Sequence, residues 1–118
     1  DHPIDLSGVD DPAPQAVYQS NRYGGSFKYT ITGLKPNAPH LIRLHFAELF
    51  WSGQGQRLFD VWINGQQVLT DFDIFAEVGR MAALDRSFDV SVTGGSVVID
   101  LTLSVGDVQI NGIEIAAR

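Results

Sequence analysis

A chain of 118 residues with 44% hydrophobic content is long enough for one core and too apolar for a disordered segment. Eight lysines and arginines against fourteen acids give a net charge of −6 and a pI near 4.7, without a basic cluster to neutralise phosphates, which argues against a nucleic-acid partner. Zero cysteines remove disulfides, thiolate catalysis and thiolate zinc sites together, and no apolar run nears the roughly twenty residues of a membrane helix.

Residues 1–15, DHPIDLSGVDDPAPQ, hold three of the five prolines and four acids without apolar periodicity. They read as an extended, partly unordered lead-in to a domain over residues 16–118. The segment lacks the charged and apolar blocks of a signal peptide, so an exported protein would have lost its signal. Asp5, Asp10 and Asp11 lack the spacing of a calcium loop and read as solvated acids. In AVYQSNRYGG, Tyr18 follows Val17 and reads as a core ring capped by a hydrogen bond. Tyr23 precedes Gly24-Gly25, where the backbone can turn tightly, and is placed for outward presentation. From Ser26 to Leu34, Phe27, Tyr29 and Ile31 alternate with Lys28, Thr30 and Thr32 as in a strand, and Lys35 to Pro39 reads as a turn.

The stretch from Leu41 to Gly65, LIRLHFAELFWSGQGQRLFDVWING, predicts two long strands joined by a Gly-rich loop as a central hairpin. Ile42, Leu44 and Phe46 on the first arm and Phe59, Val61 and Ile63 on the second fall at period two, and Asn64-Gly65 ends the second arm in a turn. Phe50 and Trp51 stand between the arms beside a loop of amides and Arg57. Adjacent strand residues point to opposite faces, so at most one of these rings can be core. Rings on a loop at a sheet's end can lie flat against the apolar face of a sugar, while amides and a guanidinium bond its hydroxyls. The competing reading is that both rings continue the core.

Gln66 to Leu69 predicts a short strand, and Asp71 to Gly79 a strand leading into one helical turn that Gly79 ends. Phe88, Val90 and Val92 mark another strand, with Thr93-Gly94-Gly95 as its turn. Val97, Ile99, Leu101 and Leu103 mark the next, and Val105-Gly106-Asp107 reverses the chain. Val108 to Ala116 then forms the last strand, with a bulge at Asn111-Gly112. Six or seven short strands with at most one helical turn predict an all-β, antiparallel sandwich.

Catalysis is the rival class of function. Glu48 and Asp60 near the joined ends of the arms could be the paired carboxylates of a glycoside hydrolase. Arg57 lies close to both, and an acid beside arginine is more often a structural ion pair. His2, His40 and His45 are too scattered for a metal set, and no Gly-x-Ser-x-Gly elbow is present. The chain reads as non-enzymatic and without a cofactor.

The segments YQSNRYGGSFKYTI, LIRLHFAELFW, GQRLFDVWINGQQVL, FDIFAEVG and QINGIEI, in this order, resemble the malectin domain, a diglucose-binding module. The resemblance runs from about Val17 to Ile115. It implies a jelly-roll-like sandwich that binds a glucose-containing di- or oligosaccharide through loops at one end, performs no chemistry, and serves a larger secreted or cell-surface protein such as a glycoside hydrolase. By motif position it implies Tyr23, Phe50, Trp51 and Asp107 as sugar-binding residues, with Arg57 or Glu48 able to reach a hydroxyl. Phe50-Trp51 stands where the family has Tyr-Phe, so one phenolic hydroxyl is lost. Nothing before Tyr18 matches the strand that opens the family's fold, so either the chain is a fragment or the lead-in substitutes for that strand; a missing strand would leave a neighbouring edge open to pairing with another copy. The alternative is that the same rings anchor a protein partner, or that the sandwich is a spacer.

Overall fold

The period-two pattern becomes nine strands in the computed structural model, which describes residues 3–7, 9, 17–18, 22–92 and 94–117. They are β1 (Arg22–Gly24), β2 (Phe27–Ile31), β3 (Ala38–Ala47), β4 (Leu58–Ile63), β5 (Gln66–Phe72), β6 (Ala83–Val92), β7 (Val97–Val105), β8 (Val108–Ile110) and β9 (Gly112–Ala117). One short helix, α1 (Ile74–Val78), follows β5. Asp73 caps its start by accepting from the Ala76 amide, and Gly79 ends it at φ 79°. A four-stranded sheet in the order β2-β7-β4-β5 faces a three-stranded sheet in the order β6-β3-β9, while β1 and β8 form a separate two-stranded ribbon. Every ladder among these strands is antiparallel.

The core is filled from both large sheets, by Ile42, Leu44 and Phe46 on one side and Phe59, Val61, Ile99 and Leu101 on the other. Phe46 reaches across to Phe72 at 5.0 Å and Phe59 at 6.0 Å between ring centroids, so these rings fasten one sheet to the other.

The predicted central hairpin is corrected by this topology. β3 pairs with β6 and β9, whereas β4 pairs with β5 and β7, so the two arms lie in opposite sheets. Their apolar residues share a period because each strand faces the other through the core. A two-residue turn such as Asn64-Gly65, with φ of 50° and 80°, keeps β4 and β5 adjacent. The segment between Ala47 and Leu58 is long enough instead to cross the roughly 10 Å between packed sheets.

The predicted last strand is also two. β8 pairs with β1 and β9 with β3, and the switch falls at Asn111. The Asn111 amide donates to the His45 carbonyl at 2.9 Å, its Oδ1 accepts from the Ala47 amide at 2.8 Å, and its Nδ2 donates to the Tyr18 carbonyl at 2.9 Å. One side chain thus replaces the ladder bonds lost at the switch. Gly112 follows because a Cβ there would stand 2.6 Å from Val17 Cγ1.

Ahead of β1, Ile4 and Val9 are buried in a second cluster with Tyr18, Ala47 and Ala83. Asp5 is in a parallel bridge with Ala82, its amide donating to the Met81 carbonyl at 2.8 Å and its carbonyl accepting from Ala83 at 2.7 Å. The lead-in is extended here and pinned to the start of β6. The partial disorder predicted for it, the readings of His2, Asp10 and Asp11, and the position of Thr93 lie outside the described residues. Tyr18 is a core ring, as predicted. Its hydroxyl donates to His45 Nδ1 at 2.7 Å, and His45 Nε2 donates to Glu114 Oε1 at 2.6 Å, which fixes the tautomer. Beside them Arg43 loses from burial but gains more from its 2.7 Å bond to Asp85 and the charges of Asp85 and Glu114, which raise its pKa.

Replacing Tyr18 with Phe keeps the ring and leaves His45 Nδ1 buried without its donor. The expected cost is about 1–3 kcal/mol, read as a lower urea midpoint at unchanged m value. An unshifted midpoint would show that the relay contributes nothing to stability.

Candidate functional site

The segment that crosses from β3 to β4 begins at Glu48 and ends at Arg57, and these two side chains meet inside the protein. Glu48 is 0% exposed and Arg57 2%. Arg57 Nε donates to Glu48 Oε1 at 2.8 Å and Nη2 to Oε2 at 3.2 Å, a two-pronged pair. Glu48 Oε2 accepts further from the amides of Phe50 at 3.1 Å and Trp51 at 3.2 Å. Arg57 Nη1 makes long bonds of 3.4 Å to the carbonyls of Asp107 and Val108. Two buried charges are costly unless their remaining donors and acceptors are used, and here most of them are. The pair therefore ties together the end of β3, the start of β4 and the turn between β7 and β8.

The chain between is folded by these bonds. Because one carboxylate oxygen holds the amides of both Phe50 and Trp51, the backbone turns sharply after Glu48 and leaves the two touching rings unequally exposed. Phe50 is 67% exposed, whereas Trp51 is half-buried and meets the Phe50 ring edge to face at 4.7 Å, with an interplanar angle of 84°. The Trp51 Nε1 is buried and has no partner among the described residues. Farther along, the Gly55 amide donates to Asp73 Oδ2 at 2.7 Å, so the cap of α1 also steadies the loop.

Tyr23, 65% exposed, is brought to the same end by the β1–β8 ribbon, in which it lies opposite Gln109. Gln109 is itself buried and donates through Nε2 to the Ala47 carbonyl and to Asn111 Oδ1. Gly106 allows the β7–β8 turn to close on the crossing loop, for a Cβ there would stand 2.3 Å from the Gln56 carbonyl oxygen. That closure sets Asp107 beside Arg57. A groove of about 390 Å³ results, lined by Tyr23, Leu49, Phe50, Arg57 and Asp107.

Four of the six residues singled out from the sequence, Tyr23, Phe50, Arg57 and Asp107, thus line one groove. Trp51 abuts Phe50 and is not a lining residue, and Glu48 is buried on Arg57. Leu49, which supplies apolar wall, carried no sequence signal beyond its place in the loop. Asp60 accepts from the Asp71 amide at 2.8 Å, so neither carboxylate of the conceivable catalytic pair faces the groove. A larger hollow of about 900 Å³ lies toward the other end of β4, between Ile63, Asn64 and Gln66 on one side and Phe88 and Val90 on the other. Among its described lining residues the one ring, Phe88, is half-buried. Among the described residues no cluster of three acidic or histidine side chains could hold a metal, and no helix is long and apolar enough to cross a membrane.

The antiparallel sandwich opens an aromatic-walled groove at one end, and the family it belongs to is that of lectin-like, non-catalytic binding modules. The malectin-domain family model matches residues 4–116, beginning well before Val17, and the chain belongs to that family. Malectin-B of Xenopus laevis is 36% identical over 90 residues, which cover 75% of this chain and 32% of that protein. Malectin of Homo sapiens is 33% identical over 90 residues, covering 75% and 30%. The chain spans about a third of the length of these curated relatives. Among solved structures, the ANX2 ectodomain from Arabidopsis thaliana superposes with a TM-score of 0.88 at 22% identity, covering 98% of this chain and 37% of that one, a likeness of fold.

Glu48→Gln should destabilise the domain by about 3–5 kcal/mol, because Arg57 would keep its buried charge without a counter-charge. Denaturant titration checks this. A loss below about 1 kcal/mol would place the pair with weak surface bridges instead.

Proposed function

We propose that the groove between Tyr23 and Phe50 binds a neutral, glucose-containing di- or oligosaccharide, and that the domain does so as a module of a larger secreted or cell-surface protein. The observation that carries this reading is the pairing of two largely exposed rings with a carboxylate in one groove of sugar size. Phe50 and Tyr23 offer flat apolar faces to the C–H side of a pyranose, and the Tyr23 hydroxyl and the Asp107 carboxylate bond its hydroxyls. Arg57 contributes Nη1, which holds only the two long bonds to carbonyls. Trp51 fixes the angle of the Phe50 ring through their edge-to-face contact, and Glu48 positions both by binding their amides.

The charge of Arg57 is matched by Glu48 at 2.8 Å, so the groove has no surplus cation to recruit an acidic sugar. Asp107 would repel one. With two rings and few polar contacts set against lost translational freedom, dissociation constants in the micromolar to millimolar range are expected, about −8 to −4 kcal/mol.

Calorimetry with maltose, nigerose, cellobiose and galactosides tests the reading. Phe50→Ala, at an exposed position, should weaken binding of the best disaccharide at least about tenfold, or about 1.4 kcal/mol, while leaving the melting temperature within a degree or two. Absence of heat with every sugar, or an affinity indifferent to Phe50 and Tyr23, would refute the assignment.

A further inference from the structure

The outer face of the four-stranded sheet holds an aromatic side chain that neither the core nor the groove uses. Along β4, Phe59, Val61 and Ile63 are buried, and the alternate residues Leu58, Asp60 and Trp62 therefore point away from the core. Trp62 lies opposite Asp100 of β7 on one side and Gln67 of β5 on the other, and Asp100 lies opposite Lys28 of β2. Lys28, Asp100, Trp62 and Gln67 thus form one row across all four strands. At the usual strand spacing the row is about 14 Å long.

We infer that this row is a second carbohydrate-binding surface, on which a neutral polysaccharide chain lies across the strands with one sugar ring stacked on Trp62. Three observations carry it. First, among the described residues no hydrogen bond or ion pair engages the side chains of Lys28, Asp100, Trp62 or Gln67, although Lys28 and Asp100 are oppositely charged neighbours. A rigid sheet therefore presents an indole flanked by free donors and acceptors. Second, a hollow of about 210 Å³ lined by Ser26, Phe27, Lys28, Asp100, Leu101 and Thr102 lies at the β2–β7 pair, and its Asp100 is the register partner of Trp62. Third, Asp60 and Asp100 outnumber Lys28 around the indole, which disfavours an acidic glycan and leaves a neutral one.

The surroundings select against a protein partner. A protein interface buries about 800 Å² per side around a well-packed apolar centre. Here the indole is half-buried, and of its neighbours on this face Lys28, Asp100, Gln67, Asp60 and Thr102 are polar, with Val98 the one apolar side chain among these strand neighbours. That composition matches the mixed surface of a pyranose, with C–H groups over the ring and hydroxyls at its rim. The row is also separate from the groove, since Trp62 lies five residues along β4 from Arg57, about 16 Å.

The test is retention of the domain in native gels containing soluble starch, laminarin, hydroxyethylcellulose or galactan, with calorimetry on the polysaccharide that retains it. Trp62→Ala should lower affinity for that polysaccharide at least about tenfold, about 1.4 kcal/mol. The Lys28→Ala, Gln67→Ala double variant, at two exposed positions, should lower it about threefold or more without loss of fold. Phe50→Ala should leave the Trp62-dependent part of the retention in place, and Trp62→Ala should leave any disaccharide affinity of the groove unchanged. The second surface can thus survive if the groove binds no sugar, and the groove can survive without it. Retention by no polysaccharide, or retention insensitive to both Trp62→Ala and the double variant, would overturn the inference.

Discussion

The buried pair between Glu48 and Arg57 is the constraint on which the rest of the groove depends. The chain must leave the three-stranded sheet at Ala47 and enter the four-stranded sheet at Leu58, and it does so at the open end of the sandwich, where an isolated bridge from Glu48 to Arg80 takes the place of a ladder. A salt bridge in such a place normally loses as much from desolvation as it gains from attraction. Here the carboxylate also binds two amides of its own loop and the guanidinium spans to the carbonyls of the β7–β8 turn. The pair acts less as a source of stability than as a joint that fixes three segments relative to one another.

That joint explains the electrostatic character of the site. An arginine that lines a groove would ordinarily suggest an anionic ligand. Arg57 does line the groove, yet it is 2% exposed and its charge faces Glu48. What remains for a ligand is an N–H edge without net attraction for anions, beside the Asp107 carboxylate and two apolar rings. Such a set would discriminate, on the proposed reading, by shape and hydroxyl geometry and not by charge, in keeping with the carbohydrate-binding character of the family.

Much of this was legible in the sequence, because alternation along a strand reports which residues face the core. Phe59, Val61 and Ile63, or Val97, Ile99 and Leu101, can be read directly. Alternation does not report which strand is the neighbour. β3 and β4 therefore looked like a hairpin, although they face each other across the core. Nor does it report a change of sheet within a run, so β8 and β9 read as one strand. The switch depends on bonds from Asn111 to His45, Ala47 and Tyr18, as many as 93 positions away. The packing of Ile4 and Val9 was hidden for a similar reason, since two apolar residues among prolines and acids show no period. At the site, the proximity of Glu48 to Arg57 was foreseeable from a loop of nine intervals, but the division of Phe50 outward and Trp51 partly inward required the amide bonds to be seen.

That division separates what sets the fold from what can set the ligand. The turn after Glu48 is held by main-chain amides on a buried carboxylate, bonds that do not depend on which side chains occupy positions 50 and 51. Tyr23 is likewise placed by ladder bonds with β8, and Asp107 by the close approach that Gly106 permits. The rings of Phe50 and Tyr23 can therefore differ in size or hydroxyl content at little cost to the sandwich, because an exposed ring contributes little to the core. A Phe in place of a Tyr at position 50 alters which hydroxyl can be recognised and leaves the joint intact. On the proposed assignment, ligand preference would be carried by side chains whose backbone is fixed by other residues, so that specificity could vary while Glu48, Arg57 and the strands they join remain as they are.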